Sequence, residues 1–129
     1  MTTMPITAVY AAILALLLVV LSIRVIMVRR RALVAVGDGA DPALARAIRA
    51  QANLTEYAPL ALLLLLLLEL NGAGTLWVHV LGAMLLAGRL LHAWGISQAD
   101  EDFRFRVTGM TLTFLVLIGT AIGILVRAI

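Results

Sequence analysis

Long apolar segments alternate with short polar breaks along the chain, and this pattern predicts four helices. A helix that crosses a bilayer needs about 20 apolar residues. Four segments reach or approach that length, and we predict helices at residues 5–30, 42–70, 76–94 and 105–127. The breaks between them carry helix stop signals, namely GDGADP, NGAG and GISQADED.

The length of these segments also indicates the fold class. They are too long for the strands of a membrane β-barrel, and backbone groups in lipid must be paired within the chain. The loops are too short for a second domain. We therefore expect an all-α polytopic membrane protein, a four-transmembrane-helix bundle that forms a single domain over residues 1–129. The first segment lacks a basic n-region and a clear cleavage site, so we expect a retained span rather than a signal peptide.

Composition and charge agree with a membrane location. Of the 129 residues, 64% are hydrophobic and 13% are charged, and a soluble domain of this length cannot bury so much apolar surface. All ten basic residues are arginine, a side chain suited to forked binding of carboxylate or phosphate. They concentrate around the first and third loops, which predicts cytoplasmic loops and periplasmic termini in what we expect to be a bacterial inner membrane. This membrane role explains the basic charge without nucleic acid.

The second predicted helix begins with RAIRAQANLTEYAPL, residues 46–60, which is unusually polar for a membrane helix. At about 100° per residue, five side chains fall within a stripe about 100° wide: Arg46, Arg49, Asn53, Glu56 and Tyr57. Gln51 lies near the opposite side, so it could serve a site only by facing another neighbour, such as a second subunit. Snorkelling would explain the two arginines, but the deeper Asn53 and Glu56 favour a functional polar cavity.

Further polar residues are expected in the same leaflet. Arg24, inside the first span, either pairs with an acid such as Glu56 or snorkels. Arg89 and His92 are three apart and share one helix face. At the opposite surface, we expect Glu69 to be solvated.

Arginines of all four helices are thus predicted to converge at one membrane depth: Arg29, Arg30, Arg49, Arg89, and Arg104 or Arg106. Few carboxylates are present to neutralise them, which favours a small anionic or zwitterionic ligand whose ammonium group Glu56 could receive. The chain has no cysteine and no HExxH motif, so no metal centre is expected.

Several segments together resemble the MAPEG family, the membrane-associated proteins of eicosanoid and glutathione metabolism. RAIRAQANLTEYAPL resembles the family's signature, and SIRVIMVRRRAL is similar to its S-x-x-V-x-x-x-R-R stretch. GRLLHAWG looks like the bacterial form of helix three, and FRFRVTGMTLT opens helix four where the family carries an arginine. The resemblance covers nearly the whole chain.

The resemblance implies a homotrimer that binds glutathione between neighbouring subunits near the cytoplasmic face. The implied glutathione-binding residues are Arg29, Arg30, Arg49, Gln51, Asn53, Glu56, Tyr57, Arg89 and His92. His92 and Ile96 stand where leukotriene C4 synthase, a family member, has tyrosines. The implied catalytic residue is Arg106, with Arg104 as the alternative, because the preceding loop does not align cleanly.

The implied activity is that of a microsomal glutathione S-transferase with possible peroxidase activity. An arginine would stabilise the thiolate of glutathione, the cosubstrate, for attack on a lipophilic electrophile or a lipid hydroperoxide delivered by the bilayer. Two alternatives remain open. A non-catalytic member would bind lipid or a partner protein, and a small multidrug exporter would rely on an acid in the first span, where this chain has Arg24.

Overall fold

A computed structural model describes residues 4–128 and contains four long helices. These are α1 (Ile6–Ala32), α2 (Pro42–Leu70), α3 (Thr75–Ile96) and α4 (Phe103–Ala128). Each is long and apolar enough to cross a membrane. The predicted all-α, four-helix membrane fold is confirmed, and every helix end lies within two residues of its predicted position.

The helices run up and down, so the two long loops lie at the same end of the bundle. α2 and α3 each pack against the three other helices, whereas α1 and α4 do not pack on each other within residues 4–128. We call the end that carries loops 33–41 and 97–102 the arginine end. Nine of the ten arginines lie in the half of the bundle nearest to it, and Arg127 lies at the opposite end.

α2 begins at the polar cap that the sequence predicts. The Asp41 side chain accepts hydrogen bonds from the backbone N–H groups of Ala43 at 2.8 Å and Leu44 at 2.9 Å. Pro42 occupies the first turn, where backbone N–H groups have no partner within the helix, so the N–H that proline lacks costs no hydrogen bond. This start places the polar stripe of α2 within the first five turns of the helix, at the arginine end.

Glu69 caps the beginning of α1, at the opposite end of the bundle. Its carboxylate accepts hydrogen bonds from the Ile6 N–H at 2.6 Å, the Thr7 N–H at 2.9 Å and the Thr7 hydroxyl at 2.7 Å. α1 follows Pro5, which offers no capping side chain. The prediction that Glu69 is simply solvated is therefore wrong, because the free N–H groups of a helix start attract a carboxylate.

α3 and α4 cross with their backbones in contact at two glycines. A methyl carbon on Gly88 would lie 2.8 Å from the carbonyl oxygen of Gly109, and one on Gly109 would lie 2.7 Å from the backbone nitrogen of His92. Such small-residue crossings are typical of membrane helices. The crossing sets the register that brings the first turns of α4 beside the last turns of α3.

Replacing Gly109 with alanine should destabilise the bundle strongly, because the new methyl group meets backbone atoms that cannot move independently. We expect a loss of about 1–3 kcal/mol in the free energy of unfolding in detergent. Gly119→Ala is the matched control on the same helix, since its methyl would meet Leu81 at an ordinary 3.7 Å. Equal effects of the two substitutions would contradict the crossing.

Candidate functional site

A cavity of about 480 Å³ lies between α2, α3 and α4 toward the arginine end. Ligand sites in proteins commonly measure about 300–1,000 Å³, so this cavity can hold a small peptide. Its walls combine cationic, amide and apolar side chains. The lining residues are Arg49, Asn53, His92, Ile96, Arg106, Val107, Met110, Thr111 and Phe114.

Arg89 lies behind this cavity and holds parts of its wall in place. Its side chain is 1% exposed, and Nη1 donates to the Asn53 side-chain oxygen at 2.5 Å and to the Asn53 carbonyl at 3.4 Å. Nη2 donates to the Met110 sulfur at 3.3 Å, and the guanidinium carbon lies 5.8 Å from the centre of the Tyr57 ring. Arg89 thereby ties α3 to both α2 and α4.

The stripe on α2 faces the cavity through Arg49 and Asn53. Arg49 forms an ion pair with Glu56 at 3.4 Å, two turns further along the helix, and the side chains are 56% and 47% exposed. Tyr57 packs edge-on against Phe114 of α4, with ring centres 5.7 Å apart. Ion pairs this exposed contribute about 1 kcal/mol or less. This ion pair can therefore open at little cost, so that Arg49 binds a negative group of a ligand and Glu56 binds a positive one.

Arg106, in the first turn of α4, is the arginine of its segment that lines the cavity. Its Nη1 lies 3.2 Å from Oε1 of Glu101, and its guanidinium carbon lies 5.0 Å from the centre of the Phe103 ring. Arg104 is exposed, and its backbone N–H donates to Asp102 at 3.0 Å. The geometry thus favours Arg106 over Arg104 as the arginine that meets a ligand.

Three residues with an implied ligand role lie elsewhere in the single subunit. Arg29 donates to the carbonyl oxygens of Gly37 at 2.8 Å and Val34 at 3.3 Å, which folds the first loop back on α1. Arg30 is exposed beside it. Gln51 donates to the Ser22 hydroxyl at 2.9 Å, on the α1 side of α2. The convergence expected for all four helices is found for α2, α3 and α4, and the ligand role of these three residues, like that of the other implied residues, stays a prediction.

Within residues 4–128, Arg24 forms no ion pair, which excludes the first of the two alternatives that its position in the first span left open. Its guanidinium donates to the Ser97 hydroxyl and, at 3.2 Å, to the Ser97 carbonyl. Arg46 donates to the Ala99 carbonyl at 3.2 Å. These two arginines of α1 and α2 therefore anchor the start of the loop that leads to Arg106.

The α4 wall of the cavity and its acidic neighbour were not predicted from the sequence. Met110, Thr111 and Phe114 follow Arg106 at helical spacing, so their shared face was detectable once Arg106 was chosen. Glu101 was not detectable, because it is one of three consecutive acids and nothing in their order tells which of them turns inward.

The charge around the cavity favours an anion. Three guanidinium groups, of Arg49, Arg89 and Arg106, stand against two carboxylates, of Glu56 and Glu101. A ligand with one net negative charge would balance this group. Within residues 4–128, no cluster of three histidine or acidic side chains could hold a metal ion.

Comparisons with known proteins find a family model and two relatives that match most of the chain. The model of the MAPEG family matches residues 7–126. Inner membrane protein YecN of Escherichia coli K12 is 43% identical over 113 residues, which cover 88% of this chain and 85% of that protein. The protein of the same name from Escherichia coli O6:H1 matches equally well.

Arg89→Ala should destabilise the protein by about 2–4 kcal/mol, because it empties a buried volume and leaves the Asn53 oxygen without its donor. Arg104→Ala, which removes the same charge from an exposed position, should change stability by about 0.5 kcal/mol or less. Unfolding in detergent followed by circular dichroism would measure both variants. A stable Arg89→Ala protein would contradict the role assigned to this guanidinium.

Proposed function

This chain belongs to the MAPEG family, and from that premise we propose that it is a glutathione-dependent membrane transferase or peroxidase. Glutathione would bind in the cavity that Arg49, Asn53 and Arg106 line. The observation that carries the proposal is the excess of one positive charge around a cavity of about 480 Å³. Glutathione has two carboxylates and one ammonium group at neutral pH, so its net charge complements that excess.

The charged groups of glutathione match the two charges of the Arg49–Glu56 ion pair. A carboxylate of the ligand could replace Glu56 as the partner of Arg49, and Glu56 could then receive the ammonium group. Asn53 is held by Arg89, with its side-chain oxygen occupied, so its amide N–H groups are the donors it can offer to a ligand. His92, which is buried on the α3 side, supplies a ring nitrogen to the same space.

Arg106 would activate the thiol. A free thiol has a pKa of about 8.5, so little thiolate exists at neutral pH. An adjacent guanidinium favours the charged form. In the transferase reaction, the sulfur electron pair forms a bond to an electrophilic carbon, and a leaving group such as halide departs. In the peroxidase reaction, two glutathione molecules reduce one hydroperoxide to an alcohol and water and become the disulfide.

The apolar part of the cavity suits a lipophilic second substrate. Val107, Thr111 and Phe114 line the cavity and are also exposed on the surface of the subunit. A molecule dissolved in the bilayer could therefore reach the sulfur along α4 without crossing water. This route would place a lipid hydroperoxide or a lipophilic electrophile beside the guanidinium of Arg106.

Topology and assembly are part of the same proposal. The arginine end would face the cytoplasm, which the positive-inside rule supports, and both termini would face the periplasm. A homotrimer would let a neighbouring subunit add Arg29, Arg30 and Gln51 to the site. Arg29 and Gln51 would then exchange their present partners, the loop carbonyls and Ser22, for the ligand.

Arg106→Ala should abolish the ultraviolet absorbance of thiolate that appears when glutathione is added to the purified protein. Without the guanidinium, the bound thiol should lose about tenfold or more in thiolate at neutral pH, since a nearby charge moves a thiol pKa by one unit or more. Arg104→Ala is the matched control and should retain the signal. Activity with an aryl halide and with a lipid hydroperoxide should follow the same order.

The outcomes separate the competing functions. Binding of glutathione by calorimetry without any thiolate signal would indicate a non-catalytic member of the family. Absence of glutathione binding by the wild-type protein would contradict the proposal itself, and proton-driven efflux from vesicles would then favour the exporter alternative.

A further inference from the structure

Glu101, in the loop between α3 and α4, is an acidic residue to which the proposed function gives no role beyond its charge. It lies between two exposed aspartates, Asp100 and Asp102, yet its own side chain is 15% exposed. Its Oε1 atom is buried and receives no hydrogen bond from residues 4–128. A carboxylate in such a position needs an opposite charge, because burial removes the water that would stabilise it.

The opposite charge comes from Arg106. Oε1 and Oε2 of Glu101 lie 3.2 Å and 3.4 Å from the same nitrogen, Nη1. A guanidinium group has five N–H donors, so a contact through Nη1 lowers the effective charge of Arg106 without covering the whole group. Arg106 also lines the cavity. Glu101 therefore competes with any anion that binds there.

We propose that Glu101 is an internal counter-anion of Arg106 that limits how readily a thiol in the cavity ionises. This inference rests on the proposed function. Ionisation moves the S–H proton to water and leaves the electron pair on sulfur, so the guanidinium of Arg106 stabilises the product. The carboxylate of Glu101 opposes this ionisation in two ways: it occupies Nη1 of Arg106, and it repels the thiolate directly.

The other charged groups around Arg106 are the same in every variant compared below. Arg49 lines the cavity from α2, with Glu56 as its partner. His92 lines it from α3, and Arg89 lies behind Asn53. Arg104, on α4, is exposed. A change confined to Glu101 therefore reports on its own charge.

Glu101→Gln tests the proposal, because glutamine keeps an oxygen that can accept a hydrogen bond from Arg106 and loses only the charge. Asp100→Asn is the matched control, since it removes the same charge from the exposed neighbour. The measurement is the thiolate absorbance of glutathione bound to the full-length protein in detergent, titrated with pH. For Glu101→Gln, the midpoint should move to lower pH by about one unit; for Asp100→Asn, it should stay at the wild-type value.

An unchanged midpoint in Glu101→Gln would overturn the inference. A midpoint at higher pH would also overturn it, because that result means that Glu101 supports the thiolate by positioning Arg106. Neither result touches the proposed function, which depends on the thiolate signal of the wild-type protein.

A second measurement, made without glutathione, tests whether Glu101 masks the charge of Arg106 even if the wild-type protein gives no thiolate signal. An arginine-selective dicarbonyl reagent attacks the guanidine nitrogens, and the carboxylate of Glu101 holds Nη1 of Arg106 in an ion pair. Peptide mass spectrometry should therefore detect severalfold faster modification of Arg106 in Glu101→Gln than in the wild-type protein or in Asp100→Asn. Equal rates at Arg106 in all three proteins would show that Glu101 does not mask its charge.

Discussion

The buried guanidinium of Arg89 is the interaction on which the arrangement of the site depends. A charged group inside a membrane helix is stable only where protein atoms replace the water that it has lost. Asn53 of α2 and Met110 of α4 supply those atoms around an arginine of α3. One side chain thus sets the relative depth of three helices. Because Asn53 and Met110 also line the cavity, the packing of the bundle and the shape of the site cannot vary independently.

The helices were predictable because the membrane imposes their length. Every helix end was placed within two residues, and Asp41 with Pro42 was recognised as the start of α2 from capping preferences alone. The face that Arg49 and Asn53 share also followed from helical spacing. These features depend on neighbours close in sequence, where the geometry of one helix is sufficient.

The partners of single polar residues were not predictable, because they depend on how helices rotate and slide against each other. Arg24 binds Ser97, Gln51 binds Ser22 and Glu69 binds Thr7, and each pair joins one helix to another helix or to the loop that follows it. Periodicity assigns a side chain to a face but does not say which helix covers that face. Glu101 shows the same limit within a loop, where no regular spacing exists.

The cap that Glu69 places on α1 has a consequence for how the protein enters the membrane. The ribosome makes Thr7 before Glu69, and the two are 62 residues apart. At about 5–20 residues per second, the carboxylate is synthesised about 3–12 s after the amides that it will bind. During that interval water or headgroups must solvate the leading end of α1. The cap therefore forms only when α2 has also been made, so it is a property of the hairpin of α1 and α2 and not of α1 alone.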